Sequence, residues 1–143
     1  MFRQLTDRVF ASPQIGLAEV AEAAASGIGL IINNRPEGES EDQVPGEDIA
    51  AAARAAGIGY VAIPVTHAGF SQPQITAMRA ALDGSEGKVL AYCRSGTRST
   101  LLWALAEASA GKSPDELAEQ AARAGYDLGP IRALLDMLAA GKN

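Results

Sequence analysis

A chain of 143 residues, 48% apolar and 20% charged, is long enough to bury the core of one domain. Its net charge of -5 offers no overall attraction to nucleic acid or to an anionic membrane, so an anion site has to be a local basic feature. One cysteine and one histidine exclude an internal disulfide, a multi-cysteine metal site and a histidine-rich metal centre. No metal or cofactor is expected. No apolar run reaches membrane-spanning length, and the opening MFRQLTDRVF lacks the apolar stretch of a secretory signal, so a cytoplasmic location is expected.

In chain order, residues 9–11 read as a short first strand and 17–25 as an alanine-rich helix. IGLIIN, 28–33, is a continuous apolar run, the mark of a strand buried on both faces. NNRPEGESEDQVPGE, 33–47, is polar, acidic and carries two prolines, which predicts a solvated loop. A helix over 47–56, a strand over 60–65 ended by Pro64, and a helix over 71–82 follow. KVLAY, 88–92, is a further strand. Helices are predicted over 99–110, over 113–124 with a capping signature, and over 130–139 with Pro130 in its first turn. Leu101 and Trp103 fall at core spacing. Alternating strands and helices imply crossovers and parallel pairing. The expected fold class is therefore α/β: one three-layer α/β/α domain over 1–143, with a mostly parallel sheet of four or five strands. In such sheets ligands bind beyond the carboxyl ends of the strands.

Cys93 stands at such an end. Between a strand and a helix lies Cys93-Arg94-Ser95-Gly96-Thr97-Arg98-Ser99. Gly96 permits a sharp turn. Loop N–H groups and a helix N-terminus converge on one point and favour negative charge there. A thiol so placed loses its proton more readily and becomes a nucleophile. Arg98 can hold two oxygens of an oxyanion in its planar fork, with Arg94 and the backbone of Ser95, Gly96 and Thr97 widening the cradle. Ser99 can donate a hydroxyl to the thiolate, and Ser99 or Thr100 can cap the following helix. An isolated cysteine is usually a small buried hydrophobe, but two arginines, a glycine and three hydroxyl residues around this one have no use in a core. Arg35, ending the strand at 28–33, can add positive charge to the same sheet edge, or instead form a turn and a surface ion pair with Glu37 or Glu39. His67, in the loop after the strand at 60–65, is either a proton donor or an exposed loop residue.

CRSGTRS resembles the active-site loop of rhodanese sulfurtransferases. It is also similar to the cysteine phosphatase signature Cys-x5-Arg-Ser/Thr with one residue missing. INNRPEGE at 32–39, GIGYVAIPV at 57–65 and VLAYCRSGTRSTLLWALA at 89–106 together resemble the phosphatase-like domain of the β-lactamase-hydrolase-like proteins. The resemblance runs over about 12–106. It implies a dual-specificity-phosphatase fold and an association with persulfide-handling proteins, so a persulfide-oxidising partner protein is one expectation.

Three departures from the phosphatase pattern are present, and the short loop and the missing general acid favour sulfur chemistry. The loop from Cys93 to Arg98 is one residue short, and Tyr92 stands where phosphatases of this type carry histidine. The loop 66–70 also lacks the aspartate that acts there as general acid, leaving His67. The leading expectation is a thiol sulfurtransferase that passes sulfane sulfur from thiosulfate or a persulfide, a small anionic donor, through a Cys93 persulfide to a thiol acceptor. The alternatives are a phosphatase that acts on a phosphate ester through a Cys93 phosphoenzyme, and a non-catalytic anion-binding or redox-sensing module.

Overall fold

The structure, a computed structural model, describes residues 1–141. Five strands form one sheet: β1 (Arg3–Gln4), β2 (Val9–Ser12), β3 (Ile28–Asn33), β4 (Gly59–Ala62) and β5 (Lys88–Tyr92). Their order is β1-β2-β5-β3-β4, and only β1 runs antiparallel to its neighbour. The helices are α1 (Leu17–Ala25), α2 (Gly46–Ala55), α3 (Gln72–Gly84), α4 (Thr97–Ser109), α5 (Pro114–Arg123) and α6 (Arg132–Ala140). A 3-10 turn, Gly129–Ile131, precedes α6 and holds Pro130, so the last helix starts later than expected. Two residues at β1 give too little pattern to be read from sequence. Beyond β4, Ile63 and Val65 donate backbone bonds to the Asn33 and Asn34 carbonyls, so the extended chain expected to Val65 is present although the regular strand stops at Ala62.

The central strand β5 explains why its sequence does not alternate in polarity. Val89 and Ala91 face α3, α4, α5 and α6, while Leu90 and Tyr92 face α1 and α2. Both faces are dry, so every position is apolar. The larger core contains Ile75, Met78 and Leu82 of α3, the whole run Leu101–Ala106 of α4, and Leu117, Ala121 and Leu135 from the last two helices. The smaller one joins Val20 and Ala23 of α1 to Ile49 and Ala53 of α2. α4 is covered on all sides, which is why its apolar residues show no single stripe. Among the described residues, no helix is long and apolar enough to cross a membrane.

Register sets the stage for the site. Ser12, Tyr92, Asn33 and Ala62 form one row across the parallel strands. The next residues of each strand, Pro13-Gln14, Cys93, Asn34-Arg35 and Ile63–Val65, therefore emerge side by side at one edge.

Candidate active site

Cys93 is the first residue past that row and is fully buried, 0% exposed. Its N–H donates to the Ser12 carbonyl at 3.3 Å, which continues the β2–β5 ladder by one bond. Gln14 then donates its N–H to the Arg94 carbonyl at 3.2 Å, so the segment after β2 fastens the loop from one side. Asn34 fastens the other: its N–H donates to the Tyr92 carbonyl at 2.8 Å and its side-chain amide to the Ile63 carbonyl at 2.9 Å.

The loop turns at Gly96, whose φ of 92° is left-handed and suits only glycine. A Cβ there would also lie 2.1 Å from the Tyr126 hydroxyl. The Gly96 N–H donates to the Cys93 sulfur at 3.1 Å. Gly96 is also the N-cap of α4, which begins at Thr97. This corrects the expectation that Ser99 or Thr100 caps that helix; the Thr100 hydroxyl instead donates back to the Gly96 carbonyl at 2.8 Å. The helix therefore begins two residues earlier than expected, and Arg98 lies in its first turn.

Arg98 is held at one end and open at the other. Its Nη1 donates to Glu39 Oε2 at 2.7 Å and to the Val65 carbonyl at 2.9 Å, and its Nη2 donates to Glu39 Oε1 at 2.8 Å. The Nε–H and the second Nη2–H, which form the side fork of the guanidinium, have no hydrogen-bond partner of this kind among the described residues. Arg98's basicity is raised, first by the Glu39 hydrogen bonds and further by the adjacent Cys93 charge. Glu39 in turn is lowered from 4.5 to about 2, chiefly by the Arg98 hydrogen bonds and further by Arg35, against the opposing effect of desolvation.

Arg35 is the third member of this cluster. It is 5% exposed, and its guanidinium donates to Glu39 Oε1 at 2.9 Å, Gln14 Oε1 at 2.9 Å and Ser40 Oγ at 3.1 Å. The expected surface ion pair is thus a buried one. It ties loop 33–47 to the segment after β2 and shares Glu39 with Arg98. The solvated acidic loop expected for this segment holds at Glu37, Glu41 and Asp42, which are exposed, and is corrected at Glu39. Glu39 is an internal ligand of two arginines, and Glu37 Oε1 accepts the Gly46 N–H at 2.8 Å at the start of α2. Asp42 does remain exposed and accepts from Ser40.

The other expected site residues divide. Arg94, Ser95 and Thr97 are exposed on the loop, where the Ser95 hydroxyl bonds Thr97 at 3.0 Å. Ser99 is buried, but its hydroxyl makes no hydrogen bond to Cys93 or to any other described group, so the expected donation to the thiolate is not formed. The reason is geometric: Gly96, not Ser99, supplies the donor at the sulfur. His67 sits exposed in a turn and has no hydrogen-bond partner among the described residues. It is not brought into the cluster. Sequence reading missed Gln14 and Tyr126, and it offered Glu39 as a partner for Arg35 but not for Arg98. Glu39 and Arg98 are 59 residues apart, and no local pattern links them. Nothing in the sequence linked Tyr126 to a loop thirty residues earlier.

With this geometry established, relatives can be compared. Residues 1–110 match the family model "Beta-lactamase hydrolase-like protein, phosphatase-like domain". The chain is 39% identical over 127 residues to a Beta-lactamase hydrolase-like protein of Xylella fastidiosa strain Temecula1, covering 87% of this chain but 29% of that protein. It thus spans under a third of the length of the curated relatives it matches. A candidate phosphatase from Neisseria meningitidis Z2491 shares the fold over 95% of this chain and 96% of its own, at 35% identity and a TM-score of 0.83. A structure of the kinase associated phosphatase, whose catalytic-site residue is a cysteine, aligns over 97% of this chain and 94% of its own with a TM-score of 0.73. At 18% identity that last likeness speaks for the fold, an α/β sheet of the cysteine-phosphatase kind. By sequence over most of its length, the chain belongs to the phosphatase-like domain family of the beta-lactamase hydrolase-like proteins.

Proposed function

We propose that the chain is a cysteine-dependent phosphatase acting on phosphate monoesters. The observation that carries this reading is the Gly96 N–H donating to the Cys93 sulfur beside Arg98, whose charge interacts with that of Cys93, at the carboxyl edge of a cysteine-phosphatase-type sheet. In the first step the Cys93 thiolate attacks phosphorus, the S–P bond forms, and the P–O bond to the leaving group breaks. Arg98 binds two non-bridging oxygens through Nε–H and Nη2–H while Glu39 occupies its other end. In the second step water attacks phosphorus, the S–P bond breaks, and inorganic phosphate leaves with the thiolate restored.

The leaving oxygen needs a proton. Glu39 is the carboxylate bound to Arg98, but its ion pairs keep it ionised near neutral pH, and an ionised carboxylate only accepts. The proton therefore comes from water or from His67, which stands exposed outside the cluster. A site without a built-in acid forgoes the roughly 10²–10⁴-fold help such a group provides. Aryl phosphates, which leave without that help, are then hydrolysed much faster than alkyl phosphates.

Sulfur transfer is the second reading, favoured by one observation: the span from Cys93 to Arg98 is six residues, as in the rhodanese-type loop. A single set of assays decides. Wild type and Cys93→Ser are compared on an aryl phosphate, on thiosulfate with cyanide, and on glutathione persulfide with a thiol acceptor. Cys93-dependent hydrolysis of the aryl phosphate is the expected result. Turnover of the sulfur donors with none of the ester would replace the phosphatase reading with sulfur transfer.

A further inference from the structure

We propose that Tyr126 is a positioning residue of the anion loop: its hydroxyl holds the Ser95–Gly96 peptide in the orientation that points the Gly96 N–H at the Cys93 sulfur. The two groups belong to one peptide unit. In a trans peptide the C=O and N–H point in opposite directions, so fixing one fixes the other. The Ser95 carbonyl accepts from the Tyr126 hydroxyl at 3.2 Å on one side, and the Gly96 N–H reaches the sulfur at 3.1 Å on the other. Glycine tolerates either sign of φ, so the loop itself gives little preference for one orientation of this peptide over the reverse. The selection has to come from outside the loop, and Tyr126 is the side chain that bonds this carbonyl.

Tyr126 is itself built into place. The chain leaves α5 through Gly125 at φ 93°, and the Gly125 and Tyr126 N–H groups close back onto the Ala122 and Ala121 carbonyls at 3.0 and 2.9 Å. That closure carries the ring off the helix end and over the loop. Arg3 of β1 lies over the ring, 5.4 Å from its centroid, and donates to the Ala124 carbonyl at 3.1 Å. Burial raises the phenol above its ordinary value, which keeps the proton that the hydrogen bond needs. Tyr126 lies outside residues 1–110, the part matched by the family model, so the C-terminal helices contribute directly to the loop.

The inference rests on reading Cys93 as the reacting group, and its test needs no substrate. The chain has one cysteine, so the ultraviolet absorbance of the thiolate, with the matching Cys93→Ser protein subtracted, follows that group alone. Tyr126→Phe keeps the ring and removes the hydroxyl. Its thiolate titration is expected to move to higher pH than wild type by about one pH unit, the tenfold change expected for losing a hydrogen bond to a charged group. A residue that only packs would leave that profile in place, so superimposed profiles overturn the proposal. If Tyr126→Phe melts too readily to titrate, Arg3→Ala, at an exposed position, replaces it. A smaller shift in the same direction is then expected, and coincidence with wild type overturns the proposal. Superimposed profiles beside Cys93-dependent ester hydrolysis by wild type would reject Tyr126 alone. A shifted profile beside inert wild type would reject the phosphatase reading and leave the peptide lock standing.

Discussion

Glu39 shows how one carboxylate can serve the site without entering the reaction. It fills one end of Arg98, donates nothing, and leaves the side fork without a protein hydrogen-bond partner among the described residues. Glu39→Gln keeps the shape but removes the charge from both arginine pairs. Charged hydrogen bonds of this kind are worth about 1.5–3 kcal/mol each, so a loss of at least tenfold in kcat/KM on an aryl phosphate is expected. The same residue sets an acid limit. Its value lies at about 2 in the folded protein against 4.5 ordinarily. A lowered carboxylate stabilises the fold above its ordinary value, and that contribution disappears as the pH falls from 4.5 through about 2. Thermal unfolding followed over this window is expected to show a steeper loss of Tm for wild type than for Glu39→Gln. Parallel curves would show that the ion pairs are not maintained in solution.

At the level of elements, the segment between β3 and α2 is organised from both ends. Arg35 anchors its start, and Glu37 accepts the Gly46 N–H at its end. The N-cap residue of α2 is Pro45, whose side chain makes no capping bond, so Glu37 reaches back to do that work. Glu37→Ala is expected to cost about 1 kcal/mol, roughly 4 °C in Tm, as loss of a capping carboxylate does elsewhere. Because the same segment carries Glu39, the substitution should also lower the aryl phosphatase rate; a fall in Tm with the full rate retained would show that the cap and the arginine clamp are independent. The strand-to-helix turn at Gly96 is organised differently. It is closed by backbone groups and by Tyr126 from a distant element, which is why its local residues gave no cap.

The whole molecule depends on helices beyond the family's matched span. Leu117, Leu128, Ile131 and Leu135 are buried in the same core as Trp103. Burying four such side chains contributes about 6–12 kcal/mol at 1.5–3 kcal/mol each, comparable with the entire stability of a domain of this size. A chain ending at residue 110 is therefore expected to lose cooperative unfolding, monitored by near-ultraviolet circular dichroism. A native-like melt from it would show that the sheet and α4 suffice. The truncation also removes Tyr126, so stability and loop geometry share one C-terminal unit.

By itself the sequence determined the periodic and local features. Apolar runs marked β3 and β5 because both sheet faces are dry, and alternation with helices implied the parallel sheet. Cys93, Gly96 and Arg98 were legible because they lie within six residues of one another and their residue types alone suggest the chemistry. What only the tertiary structure decided was pairing across the chain. Arg98 meets Glu39 across 59 residues and Tyr126 meets Ser95 across 31, contacts that register and helix packing create and no local pattern encodes. The same holds for polarity. An acidic stretch reads as solvated because charge is usually left in water, yet Glu39 turns inward because two arginines offset the cost of its desolvation.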